Sequence, residues 1–111
     1  MQRRSTKVLF AVLTSLVIAA CARTQMPRPT TQQAAQAQTR FPGLTVAELD
    51  RGRSLYMARC SVCHQPVLPT RIPADEWPGH VEEMRERAHL SVGEARLVES
   101  YLVTSATVAS R

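Results

Sequence analysis

The sequence predicts an all-α fold: a small three-helix domain over residues 44–111, preceded by a disordered tether. Three observations predict it. Apolar residues recur at helical spacing in three stretches, from Leu49 to Tyr56, from Trp77 to Ala88 and from Ala95 to Leu102. Two of these stretches open on capping-box patterns, Thr45-Val46-Ala47-Glu48 and Ser91-Val92-Gly93-Glu94. No stretch shows a convincing strand alternation, and no segment repeats.

The chain opens with a basic stretch containing Arg3, Arg4 and Lys7, followed by residues 8–20 without a charge and ending in small side chains. This is the pattern of a secretory signal peptide over residues 1–20. The apolar run is too short for a membrane span, which needs about 20 residues. Its end, Ile18-Ala19-Ala20-Cys21, resembles the lipobox of bacterial lipoproteins. That resemblance implies that Cys21 receives a diacylglycerol, becomes the first residue after cleavage and anchors the chain to a membrane by two or three acyl chains. Ala22 stands after it in place of the aspartate that retains enterobacterial lipoproteins at the inner membrane, which favours the outer membrane.

Residues 22–43 are dominated by Gln, Thr, Ala and Pro and are nearly devoid of aromatic and branched aliphatic side chains. Such a composition predicts a disordered linker, because it buries too little apolar area to offset its ordering entropy. As a flexible coil it would span roughly 25 Å. The domain organisation expected is thus signal peptide 1–20, lipidated Cys21 with linker to 43, and a folded domain from 44 to 111. Of the 14 Lys and Arg residues, three leave with the signal, so 11 remain against nine acids and the mature net charge is +2. No basic stripe for nucleic acid is present.

Helix one is expected from Thr45 into Cys60, with Gly52 allowing close approach of another helix. Three prolines, Pro66, Pro69 and Pro73, then exclude a regular helix. Helix two is expected to begin near Pro73 or Ala74. At about 100° per residue it gathers Trp77, His80, Val81, Met84 and Ala88 on one face, with His89 off that face. Helix three follows Ser91 and is expected to end between Val103 and Ala106, with a frayed tail from Thr107 to Arg111.

The stretch that these helices frame is Cys60-Ser61-Val62-Cys63-His64. Two cysteines three apart with a histidine directly after the second read as a c-type haem attachment site. One helical turn between Cys60 and Cys63 lets both sulfurs reach the vinyl groups on one porphyrin edge. His64 then supplies the proximal imidazole to the iron. A structural zinc site would need a second knuckle, and the one remaining cysteine is Cys21. A redox dithiol would need a βαβ setting that the surrounding residues do not offer. The cysteine count agrees with export: one for lipid, two for haem. A backbone carbonyl near Pro66 or Pro69 is expected to accept the free ring N–H of His64.

With Gly52-Arg53-Ser54-Leu55-Tyr56 before the haem motif, then Glu76-Trp77-Pro78, Met84, Leu90-Ser91 and Tyr101-Leu102, the chain resembles a small class I-type monohaem cytochrome c over most of residues 44–106. The resemblance implies one covalently bound haem c and an all-α cytochrome c-like domain whose first and last helices cross near it, with Gly52 and Tyr101 as contact points. The chain is shorter than mitochondrial-type cytochromes and lacks their late methionine loop, so the sixth ligand is read from the helix-two face. Met84 is the first choice, since a thioether raises the reduction potential. His80, His89 or an open position are the alternatives. Trp77 is expected to pack beside the haem, with an indole–propionate hydrogen bond as the sharper version.

Neither a protein acid–base pair nor a nucleophile is visible, so the expectation is an electron carrier and not an enzyme. It would act on the periplasmic side of a bacterial membrane, exchanging single electrons with redox protein partners. A haem subunit of a larger oxidoreductase and a gas-binding sensor are the competing functions.

Overall fold

The computed structural model describes residues 25–109. Among them lie four α-helices and no strand: α1 Thr31–Ala37, α2 Val46–Leu55, α3 Trp77–Met84 and α4 Val92–Ala109. A π-turn, Tyr56–Cys60, continues α2, and a 3-10 turn, Pro69–Arg71, lies in the proline-rich connection. The all-α class is as expected. Among the described residues no helix is long and apolar enough to cross a membrane.

Helix α4 is the spine. It packs against α1, α2, α3 and the 3-10 turn, most extensively against α2. Its start is the expected capping box: Ser91 Oγ accepts from Glu94 N–H at 3.2 Å and Ser91 N–H donates to Glu94 Oε2 at 2.9 Å. Thr45 and Glu48 make the same reciprocal pair at α2, with 3.2 and 2.9 Å. A cap of this kind contributes about 1 kcal/mol. These bonds also hold the Glu48 and Glu94 carboxyls below their ordinary range, backbone hydrogen bonding being the main cause.

The α2–α4 crossing depends on Gly52. A Cβ built there would lie 2.0 Å from the Leu97 carbonyl oxygen and 3.1 Å from Tyr101 Cβ. Only a residue without a side chain permits this approach. Around the crossing Leu49, Tyr56, Val98, Tyr101 and Leu102 are buried.

The expected disordered linker is corrected over residues 25–43. This segment folds onto the domain and supplies Met26, Ala34, Ala37 and Phe41 to the core. Helix α1 opens on a third capping box, in which Thr30 N–H donates to Gln33 Oε1 at 2.8 Å and Gln33 N–H to Thr30 Oγ1 at 3.2 Å. Gln38 then joins α1 to the turn before α2. Its amide donates to Ala34 and Leu44 carbonyls and accepts from Gly43 N–H, a glycine at φ 80°. Upstream, the chain is strapped down by Arg53 Nε donating to Met26 O at 3.1 Å and Tyr101 Oη to Pro27 O at 2.8 Å. The polar residues that suggested disorder are spent on caps and staples, while alanine and phenylalanine at helical spacing do the burying. The domain therefore begins before residue 44.

Three boundaries also move. Helix α3 starts at Trp77 instead of Pro73 or Ala74, with residues 74–76 in a turn. It ends at Met84, and residues 85–89 continue as turns closed by Leu90 N–H on Arg85 O at 3.0 Å. His89 takes a left-handed φ of 52° there, the conformation that ends helices. Helix α4 runs on to Ala109, because Val103 and Ala106 remain buried beneath the α1 segment.

Substituting Gly52→Ala is expected to destabilise the fold by about 3 kcal/mol or more, since the clash is with backbone and cannot relax through a rotamer. Chemical denaturation of the variant checks this. A loss under about 0.5 kcal/mol, the range of neutral surface changes, would contradict the close-crossing account.

Candidate haem site

The π-turn delivers the candidate site. One extra residue in the turn is a feature found often where a helix carries function. It leaves Tyr56 and Cys60 both buried, four residues apart. Ser61 to Cys63 then form a turn, with the Ser61 hydroxyl donating to the Met57 carbonyl. Cys60 thus closes the π-turn and Cys63 lies in the turn after it, where one helical turn between them was expected. Their environments differ. Cys60 is buried and Cys63 exposed, and both thiols are free. Burial pushes the Cys60 thiol above its ordinary pKa.

His64 is exposed, and its Nδ1 lies 2.9 Å from the Gln65 carbonyl oxygen. A carbonyl only accepts, so Nδ1 carries the proton, and in the neutral ring Nε2 holds the lone pair. The acceptor is thus the carbonyl bonded to the Pro66 nitrogen, in the expected neighbourhood of Pro66. The Pro69 carbonyl takes the Trp77 indole N–H at 3.0 Å. Trp77 is buried at the start of α3 with its donor already satisfied, which removes the propionate hydrogen bond from its roles.

Met84, at the end of α3, is half-buried and faces a narrow apolar crevice that Cys60 also lines, together with Tyr56, Val81, Leu90, Val98 and Leu102. The buried thiol and the methionine thus share one apolar space. His80 does not line it. Its ring stands edge-on to Trp77, with centroids 6.1 Å apart and planes at 71°. His89 is exposed, and its backbone carbonyl accepts from Arg59 Nη1 at 3.3 Å. Cys21 lies outside the described residues. Among the described residues no three His, Cys, Asp or Glu side chains converge as a metal-holding group. A haem iron draws only one or two ligands from a protein, so this bears on free metal ions alone.

Sequence reasoning passed over Tyr56 as a site residue. Its hydroxyl donates to the Val67 carbonyl at 2.8 Å, and its ring meets Trp77 edge-to-face at 6.1 Å and 81°. The signal was present: Tyr56 precedes Cys60 by four, one turn along the same face. What the sequence could not provide was its partner, a carbonyl eleven residues on.

Burial pushes the Tyr56 phenol up to about 12, from an ordinary value near 10. The sign follows from linkage. The unfolded chain ionises this tyrosine near pH 10 while the folded chain keeps it protonated, so stability is full below pH 10 and falls as pH rises toward 12. Denaturation midpoints followed from pH 8 to 12 should decline more steeply for the wild type than for Tyr56→Phe. Parallel declines would contradict the burial of the hydroxyl.

The chain matches no protein-family model, and no curated protein or solved structure matches it.

Proposed function

We propose that the chain is a lipid-anchored, periplasmic monohaem c-type cytochrome of the small class I type, carrying single electrons between redox protein partners. The observation that carries this reading is Cys60-Ser61-Val62-Cys63-His64 at the open end of the π-turn, with two free thiols and an imidazole whose Nδ1 proton is already held. The donor chemistry fits a haem. Cys60 and Cys63 would hold it through thioethers, His64 would offer Nε2, and Met84, on the same crevice as Cys60, would offer a thioether sulfur. When bound, haem iron supplies a one-electron couple.

The remaining work falls to the chain itself. The crevice would set Cys60 and Met84 against an apolar wall of Val81, Leu90, Val98 and Leu102. The Gln65 carbonyl fixes the His64 tautomer and raises the basicity of its free nitrogen. With the thiols and the imidazole assigned to haem, we read the protein as an electron carrier and not as an enzyme.

Export and anchoring rest on residues 1–20 and the Ile18-Ala19-Ala20-Cys21 pattern. The packed segment alters the anchor's geometry. Met26 is buried only five residues after Cys21. A fully extended stretch of that length spans about 17 Å. The domain would ride close to its membrane on a short leash, in place of a long swivelling linker. Outer-membrane attachment is favoured by Ala22.

The test is spectroscopic. The oxidised protein should show the weak far-red charge-transfer band of methionine-ligated ferric iron. Met84→Ala should abolish that band and lower the reduction potential, and His80→Ala should leave it intact. If Met84→Ala changes nothing while His80→Ala opens the iron to carbon monoxide, bis-histidine ligation replaces the assignment. Ready binding of carbon monoxide by the reduced wild type would favour a gas-binding sensor over a carrier.

A further inference from the structure

Two buried aromatic side chains hold the segment that follows His64, and nothing in the haem motif itself requires them. Tyr56 and Trp77 are almost fully buried, at 2 % and 1 % exposure. Each spends its one polar hydrogen on a backbone carbonyl of the same short connection: Tyr56 Oη on Val67 at 2.8 Å, Trp77 Nε1 on Pro69 at 3.0 Å. Their rings lock together edge-to-face. Between them they join three elements: the π-turn that carries Cys60, the connection that begins at Gln65, and α3, which carries Met84. Residues 65–68 form no regular hydrogen-bonded structure of their own, so these two donors stand in for it.

The Gln65 carbonyl that accepts from His64 Nδ1 lies two residues before the first of these pinned carbonyls. We propose that Tyr56 and Trp77 are positioning residues for the proximal histidine. By pinning Val67 and Pro69 they keep the Gln65 carbonyl against Nδ1, and so set both the direction of Nε2 and its basicity toward bound iron. This rests on the covalent-haem reading. Neither aromatic residue donates to the haem in this scheme; both act through the backbone. Releasing the pin frees Gln65 to leave Nδ1. The imidazole becomes a weaker donor, ferric iron loses more stabilisation than ferrous, and the reduction potential rises.

The experiment uses the haem-loaded, reduced, diamagnetic protein and follows the exchange of the His64 Nδ1 proton with solvent by NMR, alongside the reduction potential. Tyr56→Phe removes one hydroxyl and keeps the ring against Trp77. It should speed the exchange about tenfold, the factor set by one lost hydrogen bond, and raise the potential. Trp77→Phe should shift both in the same direction. Val103→Ala, a buried change in α4 beside Ala37 and Phe41, should lower stability and leave both readouts unmoved. Unchanged exchange in Tyr56→Phe, or an equal acceleration in Val103→Ala, overturns the proposal while the haem stands. A wild-type protein purified without covalent haem overturns the haem reading and this inference together.

Discussion

The contact on which the rest of the structure depends is the approach of Gly52 to the Leu97 carbonyl. Because no side chain intervenes, α2 lies directly on the α4 backbone. That closeness buries Leu49, Tyr56, Val98, Tyr101 and Leu102 around one crossing. It also fixes where α2 ends. The π-turn extends from the crossing, so the positions of Tyr56 and Cys60 relative to α4 are inherited from it. A domain of this size has little core to spare. Its stability is concentrated in a few large side chains, each contributing roughly 1.5–3 kcal/mol when fully buried.

From that crossing the site is built outward by hydrogen bonds from side chains to backbone. Tyr56 reaches Val67, Trp77 reaches Pro69, Arg59 reaches His89 and Tyr101 reaches Pro27. The connections between helices have few backbone partners of their own, and these long side chains supply them. The same device holds the segment before α1 against α2 and α4. Under the proposed function it has two consequences. The chain around His64 is positioned from the rigid crossing, and a lipid at Cys21 would tie the folded domain closely to its membrane.

Much of this was legible in the sequence, and for local reasons. Thr45–Glu48 and Ser91–Glu94 announce helix starts through bonds made within four residues. Gly52 in an otherwise helical run announces a close approach. The composition of the α1 segment points to disorder while its pattern does not: Thr30 and Gln33 form a capping box, and Ala34, Ala37 and Phe41 are buried in the core. Sparse apolar residues sufficed because α4 already offered a surface to receive them. The early end of α3 was hidden because a helical wheel extends as far as one draws it. Residues 85–89 continue as turns that close at His89 in a left-handed conformation, and no spacing in the sequence marks where helix gives way to turn. In the site, the identities of Cys60, Cys63 and His64 were plain from spacing. Their unequal exposure was not, since it follows from a π-turn that no local pattern marks. The Trp77–Pro69 and Tyr56–Val67 bonds join residues eight and eleven apart across an irregular connection, beyond the reach of helical periodicity.

The account turns on whether Cys60 and Cys63 carry a haem. The most direct measurement is the intact mass of the denatured protein, produced in a host that attaches haem outside the cytoplasm. The account predicts the mass of the mature polypeptide plus one haem, surviving denaturation and acid, and loss of that added mass when Cys60→Ala and Cys63→Ala are combined. A polypeptide of bare mass with two titratable thiols at these positions would contradict it.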